Sequence, residues 1–166
     1  MKKNIQRIGK KEAQYIQEVL DSNFRASDNK NMLGRLEEAF SKKFGVRYSV
    51  GHINGTATLH SALFAAGVRA GDEVIVPPLT MSATAMAVLQ QDAVPVFADV
   101  REETFQIDPV SIEKLITSRT KVIITVALYG LAPEMDDIMR IAQKHDLIVI
   151  EDDAQCFLGK YKNKTV

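Results

Sequence analysis

The sequence predicts an α/β fold of three layers, in which helices flank a mostly parallel sheet and two further helices come first along the chain. From about Arg47 onward, short apolar runs alternate with stretches of helical periodicity, which is typical of βα units in a parallel sheet. The 166 residues, 46% hydrophobic and 25% charged, have the size and composition of one globular domain. We therefore expect a helical segment over residues 1–46 and an α/β segment over residues 47–166.

The charges of the chain balance, which argues against several kinds of partner. Lys plus Arg and Asp plus Glu both number 21, so no basic surface is predicted for nucleic acid or for an anionic membrane. No segment approaches the run of about 18 apolar residues that a membrane span requires. We expect a cytoplasmic protein with neither nucleic-acid nor membrane partners. The single cysteine, Cys156, can form no disulfide within the chain and is expected to pack in the core.

Two amphipathic helices are predicted before the sheet. The first covers Lys10–Ser22 and the second Met32–Phe44, because apolar residues recur in both at helical spacing. These residues are Ala13, Ile16, Val19 and Leu20 in the first helix and Leu33, Leu36, Phe40 and Phe44 in the second. The polar stretch Asn23–Asn31 between them predicts an irregular loop.

Five short apolar runs predict the strands of the sheet. In chain order they are Tyr48–Gly51, Val74–Val76, Val94–Ala98, Val122–Val126 and Leu147–Ile150. The helices between them have recognisable ends. Gly67 follows the helix Thr56–Ala66 where left-handed backbone is common, and Asp108–Ile116 begins with a cap followed by proline. A last helix, Glu134–His145, leads into the final strand.

Residues directly after the strands are the candidates for chemistry, because ligands of open parallel sheets bind at the carboxyl ends of the strands. His52–Ala57 follows the first predicted strand and opens a helix, whose N–H groups and positive dipole end suit a phosphate. The same Asn-Gly-Thr sequence is also an ordinary turn and cap, so both interpretations stay open. After the second strand, Pro77–Thr84 is adequately explained by prolines that end the strand and by Ser82 as a helix cap.

Three carboxylates, Glu151, Asp152 and Asp153, stand directly after the last predicted strand. A metal site, a cap and a cofactor anchor are all consistent with them. The chain lacks the GxxxxGK[ST] and GxGxxG sequences of nucleotide-binding loops and has no paired His or Cys at metal-ligand spacing. Side chains alternate along extended backbone, so Glu151 and Asp153 are expected on one side and Asp152 on the other. Asp152 is therefore set apart from its neighbours.

Taken together and in order, several stretches resemble the DegT/StrS-type sugar aminotransferases, which are fold type I enzymes dependent on pyridoxal 5'-phosphate (PLP). The resemblance covers the chain from about Phe40 to Val166. It is carried by NGTATLHSALFAAGVRAGDEVIVPPLTMSATAMAV, VPVFADV, FQIDP, RTKVIITVALYG, MDDI and LIVIEDDAQ. It implies that residues 47–166 are an incomplete PLP-binding large domain, without its last strands and without the family's small domain.

The resemblance also assigns cofactor contacts to individual residues. The family's phosphate-binding turn corresponds to Gly55, Thr56 and Ala57. Met81 stands where the family usually has an aromatic ring against the cofactor face. Asp152 matches the catalytic aspartate that pairs with the pyridine nitrogen, and Gln155 matches the glutamine or histidine that reaches the phenolic oxygen. The chain departs from the family pattern at Ala127, where histidine is frequent, and at Asp153, where a small residue is usual.

The activity that the resemblance implies is amino-group transfer, with PLP as cofactor and a homodimer as the active form. The expected donor is an amino acid, namely glutamate, and the expected acceptor is a keto sugar linked to a nucleotide. Dehydration of sugars by the same fold, and a non-catalytic role as an assembly or regulatory partner, both stay open. The family's covalently PLP-bound lysine lies beyond the aspartate and matches none of Lys160, Lys162 and Lys164. We therefore expect the chain to be the N-terminal part of a longer polypeptide and inactive by itself.

Overall fold

The computed structural model describes residues 8–22 and 31–166. These residues belong to two compact units, one that ends at Gly51 and one that spans His52–Val166. The predicted loop Asn23–Asn31 lies outside the described residues except for Asn31. No helix within the described ranges is long and apolar enough to cross a membrane.

The first unit contains two helices, α1 (Lys10–Asp21) and α2 (Met32–Phe44), which confirms both predicted helices. Asn31 caps α2 by accepting a hydrogen bond from the Gly34 N–H at 2.7 Å. Arg35 joins the helices through a 2.7 Å ion pair with Glu18. Neither helix contains a buried residue, so the predicted apolar stripes remain partly exposed within this unit.

The second unit is built on a four-stranded parallel sheet with the order β2-β1-β3-β4. The strands are β1 (Glu73–Val76), β2 (Val94–Phe97), β3 (Thr120–Val126) and β4 (Ile148–Asp152). A separate hairpin follows, formed by β5 (Lys160–Tyr161) and β6 (Lys164–Thr165). Four of the five predicted strands are thereby confirmed, with ends shifted by one or two residues.

Helices cover both faces of this sheet, which confirms the predicted three-layer α/β architecture. They are α3 (Gly55–Ala65), α4 (Ala83–Leu89), α5 (Pro109–Leu115) and α6 (Met135–His145). Alternate residues of each strand enter different cores. Val74, Val76, Val122 and Ile124 pack with α3 and α4, whereas Ile75 and Ile123 pack with α5 and α6.

The predicted strand Tyr48–Gly51 is wrong. This segment is irregular, and it belongs to neither sheet of the described residues. Its apolar side chains are exposed, Tyr48 by 72% and Val50 by 71%. A strand requires hydrogen bonds from a neighbouring strand, and among the described residues this segment is part of no ladder.

Of the residues predicted to mark helix ends, Asp108 and Gly67 are confirmed and Ser82 is not. Asp108 accepts hydrogen bonds from the Val110 and Ser111 N–H groups, and Gly67 has the left-handed φ of 78° expected after α3. Ser82, in contrast, makes no capping hydrogen bond with its side chain. Its backbone is already helical, whereas a capping side chain requires extended backbone. The cap predicted at Ser82 is therefore wrong.

A buried carboxylate ties the amino end of the sheet together. Glu73, only 4% exposed, accepts hydrogen bonds from the Thr117 hydroxyl at 2.5 Å and from Arg119 Nε at 3.0 Å. The Thr117 hydrogen bond, followed by Arg119, lowers the pKa of Glu73 below its ordinary 4.5, although burial opposes the shift. This network links β1 to the segment that enters β3.

We expect Glu73→Gln to lower the free energy of unfolding by about 1–3 kcal/mol at neutral pH, since it weakens hydrogen bonds to a charged, buried group. The contribution of the carboxylate is complete above the ordinary pKa of 4.5 and is lost as the pH falls through the lowered pKa of the folded state. Urea unfolding of both proteins should therefore show a difference that shrinks below pH 4.5.

The matched control is Glu113→Gln, because Glu113 also pairs with a cation, Lys144, but does so on the surface. Exposed ion pairs contribute little to stability, so this variant should unfold like the parent protein. Equal stability of the Glu73→Gln variant and the parent at neutral pH would contradict the prediction.

Candidate cofactor site

The topology of the sheet defines where a ligand would bind. The chain passes from β1 to β2 on one side and then places β3 on the other side of β1. Ligands of such sheets bind at the carboxyl ends of the strands next to this reversal. Because α3 ends just before the amino end of β1, its own N-terminus lies toward the carboxyl ends. The predicted phosphate turn is therefore at the correct end of the sheet.

The N-terminus of α3 shows which backbone groups an anion can use. Asn54 caps the helix by accepting a hydrogen bond from the Ala57 N–H at 2.9 Å. Among the described residues, the Gly55 and Thr56 N–H groups have no acceptor. The cap and the phosphate turn are thus compatible: Asn54 engages Ala57, while Gly55 and Thr56 present their N–H groups to a ligand.

Gly55 leaves open space at this turn. Apart from the adjoining residues and the backbone of α3 itself, a Cβ atom added to Gly55 would meet no atom of the described residues within 4 Å. The φ of Gly55 is not positive, so the backbone itself does not require glycine here. The turn therefore leaves room for a ligand to approach the backbone of Gly55 closely.

Met81 lies in the loop between β1 and α4 and is 67% exposed. Its carbonyl accepts the Thr84 N–H at 3.2 Å, which starts the first turn of α4. The thioether is thus held near the carboxyl end of β1 with most of its surface uncovered. A polarisable sulfur of this kind can lie against an aromatic ring.

Asp152 ends β4 and pairs with Val126 at the end of β3. Ile150, two residues earlier, packs against the core beneath α3 and α4, and alternation places Asp152 on the same face. Its Oδ1 accepts the Ala154 N–H at 3.2 Å. Within the described ranges no hydrogen bond reaches Oδ2, so one carboxylate oxygen is oriented and the other can bind a ligand.

Gln155 is oriented by a backbone group of the turn Leu128–Gly130 that follows β3. Its Oε1 accepts the Tyr129 N–H at 2.9 Å. Because that donor must face an oxygen, the amide orientation is fixed chemically, and the Gln155 NH₂ group points away as a donor. Sequence reasoning missed Tyr129, whose contribution is a backbone N–H; Gly130 was the only local signal of a tight turn.

The carboxylates of Glu151 and Asp153 are partly desolvated. Partial desolvation, and then the charge of Asp153, raise the pKa of Glu151. Burial, and then Asp152, raise the pKa of Asp153. The thiol of Cys156, buried as expected, has its pKa raised by burial and then by Asp153. No group of three or more metal-ligating side chains is found among the residues that the structure describes.

These groups fit PLP in chemistry. Two N–H groups and open space at Gly55 suit a phosphate, the carboxylate of Asp152 suits a protonated ring nitrogen, and the Gln155 NH₂ suits a phenolic oxygen. The individual assignments stay predictions. The model of the DegT/DnrJ/EryC1/StrS aminotransferase family matches residues 6–166.

The chain belongs to this family.

The relatives of this chain include sugar aminotransferases, and the similar solved structures include PLP-dependent enzymes. The chain is 42% identical over 156 residues to GDP-perosamine synthase of Escherichia coli O157:H7. It superimposes on the aminotransferase from Psychrobacter cryohalolentis with a TM-score of 0.90 at 40% identity. It superimposes on the solved structure of E. coli GDP-4-keto-6-deoxy-D-mannose-3-dehydratase with bound hydrated PLP with a TM-score of 0.87 at 29% identity. The family and the PLP-dependent fold are thus confirmed.

The chain corresponds to only part of each relative. The perosamine synthase alignment covers 94% of this chain and 43% of that protein. The two structural alignments cover 96% and 97% of this chain, but 40% and 42% of the solved chains. The activity of a whole enzyme containing this chain is therefore a matter for proposal.

Proposed function

We propose that this family member forms the cofactor-binding part of an enzyme that transfers an amino group to a keto sugar linked to a nucleotide, with glutamate as the donor. The observation that carries the proposal is a convergence. The N-terminus of α3, the oriented carboxylate of Asp152 and the oriented amide of Gln155 all belong to the carboxyl end of one parallel sheet. A nucleotide-linked acceptor is supported by the GDP-sugar named for two relatives.

Each group has a defined task in this proposal. When bound, PLP accepts electrons from the substrate carbon into its ring, and it does so best with a protonated ring nitrogen. The Asp152 carboxylate favours that proton electrostatically. Gln155 donates a hydrogen bond to the phenolic oxygen, and the Gly55 and Thr56 N–H groups hold the phosphate at the positive end of the α3 dipole. The enzyme is proposed to act as a homodimer, which a measurement of molecular mass in solution tests.

The assay uses a polypeptide containing this chain, [¹⁵N]glutamate and a nucleotide-linked 4-keto sugar. Amino transfer places ¹⁵N in the sugar product, which mass spectrometry detects. Loss of water without retained ¹⁵N would instead identify a dehydratase, the second candidate, which is favoured by the structural likeness to the PLP-bound dehydratase. If a folded, PLP-loaded polypeptide forms neither the aminated nor the dehydrated sugar, that result would support a role as a non-catalytic partner. The 166-residue chain alone is expected to give no turnover.

Gly55→Ala separates cofactor binding from folding. The added methyl meets no protein atom, so the free energy of unfolding should be unchanged or up to about 1 kcal/mol higher, because alanine favours the helix. The same methyl occupies the space proposed for the phosphate. PLP affinity, measured by fluorescence titration, should fall about tenfold or more, equivalent to roughly 1.4 kcal/mol.

The control is Ala65→Gly at the exposed C-terminal end of the same helix. It should lower stability by about 0.5–1 kcal/mol and leave PLP affinity unchanged. If PLP binds the Gly55→Ala variant as tightly as it binds the parent chain, the phosphate turn has been assigned wrongly.

A further inference from the structure

A buried glutamine lies behind the turn that orients Gln155. Gln106 is only 3% exposed, in the loop between β2 and α5. Its Nε2 donates to the Leu128 carbonyl at 3.1 Å and to the Thr104 carbonyl at 3.4 Å. Both neighbours are acceptors, so the NH₂ group must face them. Among the described residues, the buried Oε1 has no hydrogen-bond partner.

The position of Gln106 is not explained by stability. An unsatisfied buried acceptor is costly, and an apolar side chain of similar shape would avoid that cost. Without Gln106 the Leu128 carbonyl would still have one hydrogen bond, because it also accepts the Leu131 N–H at 3.2 Å. An amide side chain at this buried position is therefore better explained by the orientation that it imposes on its hydrogen-bond partner.

That partner is the Leu128–Tyr129 peptide group, which forms a hydrogen bond with a different glutamine side chain at its C=O and at its N–H. The Leu128 carbonyl accepts from Gln106, and the N–H of the same peptide, on Tyr129, donates to Gln155 Oε1. Hydrogen bonds at the two ends of one peptide polarise and strengthen each other. Tyr129 also has a φ of 56°, a left-handed conformation that a residue with a side chain keeps only when its surroundings impose it.

We propose that Gln106 is a positioning residue, which holds the Leu128–Tyr129 peptide and, through it, keeps the Gln155 NH₂ group directed at the cofactor. The inference rests on the proposed function, because the cofactor role of Gln155 belongs to that function. The geometric relay itself exists in the chain without PLP. It can therefore be tested on the ¹⁵N-labelled 166-residue chain alone.

The test variant is Gln106→Met, which keeps the shape of the side chain and removes its donor. Tyr129 amide exchange, followed by NMR, should become about tenfold faster, and the Gln155 side-chain NH₂ resonances should move toward those of an unstructured glutamine. The Ala127 amide, which bonds to the Asp152 carbonyl at 3.1 Å, should exchange as in the parent chain. Unchanged Tyr129 exchange and unchanged Gln155 resonances would overturn the proposal.

The matched control is Gln91→Met, because Gln91 also donates to a carbonyl, that of His60, at 3.4 Å. This variant should leave Tyr129 and Gln155 unmoved; the same changes there would show a global effect and defeat the proposal. If Gln106→Met does not fold, the reciprocal variant Gln155→Met, at an exposed position, decides. It should shift the Gln106 NH₂ resonances, and an absence of that shift counts against the relay.

Titration of the parent chain with PLP distinguishes the two proposals. A shift of the Gln155 NH₂ resonances on PLP addition supports the cofactor role. If PLP leaves them unmoved while Gln106→Met still alters them, the relay stands and the proposed function of Gln155 fails. If PLP moves them and Gln106→Met does not, the function stands and the relay fails.

Discussion

Replacing Asp152 with asparagine is expected to lower kcat/KM for amino transfer on the order of 100-fold or more in an active enzyme that contains this chain, the loss typical when one oriented electrostatic partner is removed. Asparagine has the same shape, and its Oδ1 can still accept the Ala154 N–H. Its NH₂ group replaces Oδ2, however, and cannot favour a proton on the pyridine nitrogen. Steady-state kinetics with unfolding curves for both proteins would separate this loss from a change in stability.

The control for this prediction is Glu151→Gln, one residue earlier along β4. Alternation directs Glu151 to the other face of the sheet, where the residue is exposed although its carboxylate is partly desolvated. The same loss of one carboxylate charge should therefore change kcat/KM only slightly. If both variants lose activity equally, the effect comes from the summed charge of the acidic cluster and not from Asp152.

The residues that could be predicted are those whose role follows from local pattern. Period-two alternation separates Asp152 from Glu151; β4 extends through both residues and Ile150 packs in the core beneath α3 and α4, so the alternation applies here, while the role of Asp152 stays a prediction. Helical spacing and end signals such as Asp108 and Gly67 also depend on a few neighbouring residues. These features are encoded over a short distance and are therefore visible in the sequence.

The features that could not be predicted depend on distant partners. Tyr48–Gly51 has the composition of a strand, but composition does not show whether a neighbouring strand is available to pair with it. The Tyr129 N–H meets Gln155 across 26 residues of sequence and needs a positive φ that tyrosine does not signal. Likewise, Gln106 in the sequence FQIDP gives no sign that its amide will reach the end of β3. Sequence patterns predict elements, whereas the contacts between their ends come from topology.

The second large effect is expected in the core beneath the site. Ile124 is fully buried in the interior of β3, where it packs with residues of α3 and lies beside Ile150 in the register with β4. Ile124→Ala should lower the free energy of unfolding by about 2–5 kcal/mol through lost burial and the cavity that remains. Since domains are stable by only about 5–15 kcal/mol, urea unfolding should show a much lower midpoint.

The same register explains why this loss should reach the site. Two residues after Ile124, Val126 pairs with Asp152, so loosening β3 against β4 disturbs the backbone that orients the carboxylate. The matched control is Ile148→Ala, because Ile148 lies on the edge strand β4 and is 48% exposed. It should cost less than about 1 kcal/mol. If the two variants lose similar amounts of free energy of unfolding, the core is not centred on β3. The packing that supports Asp152 would then come from the edge strand β4.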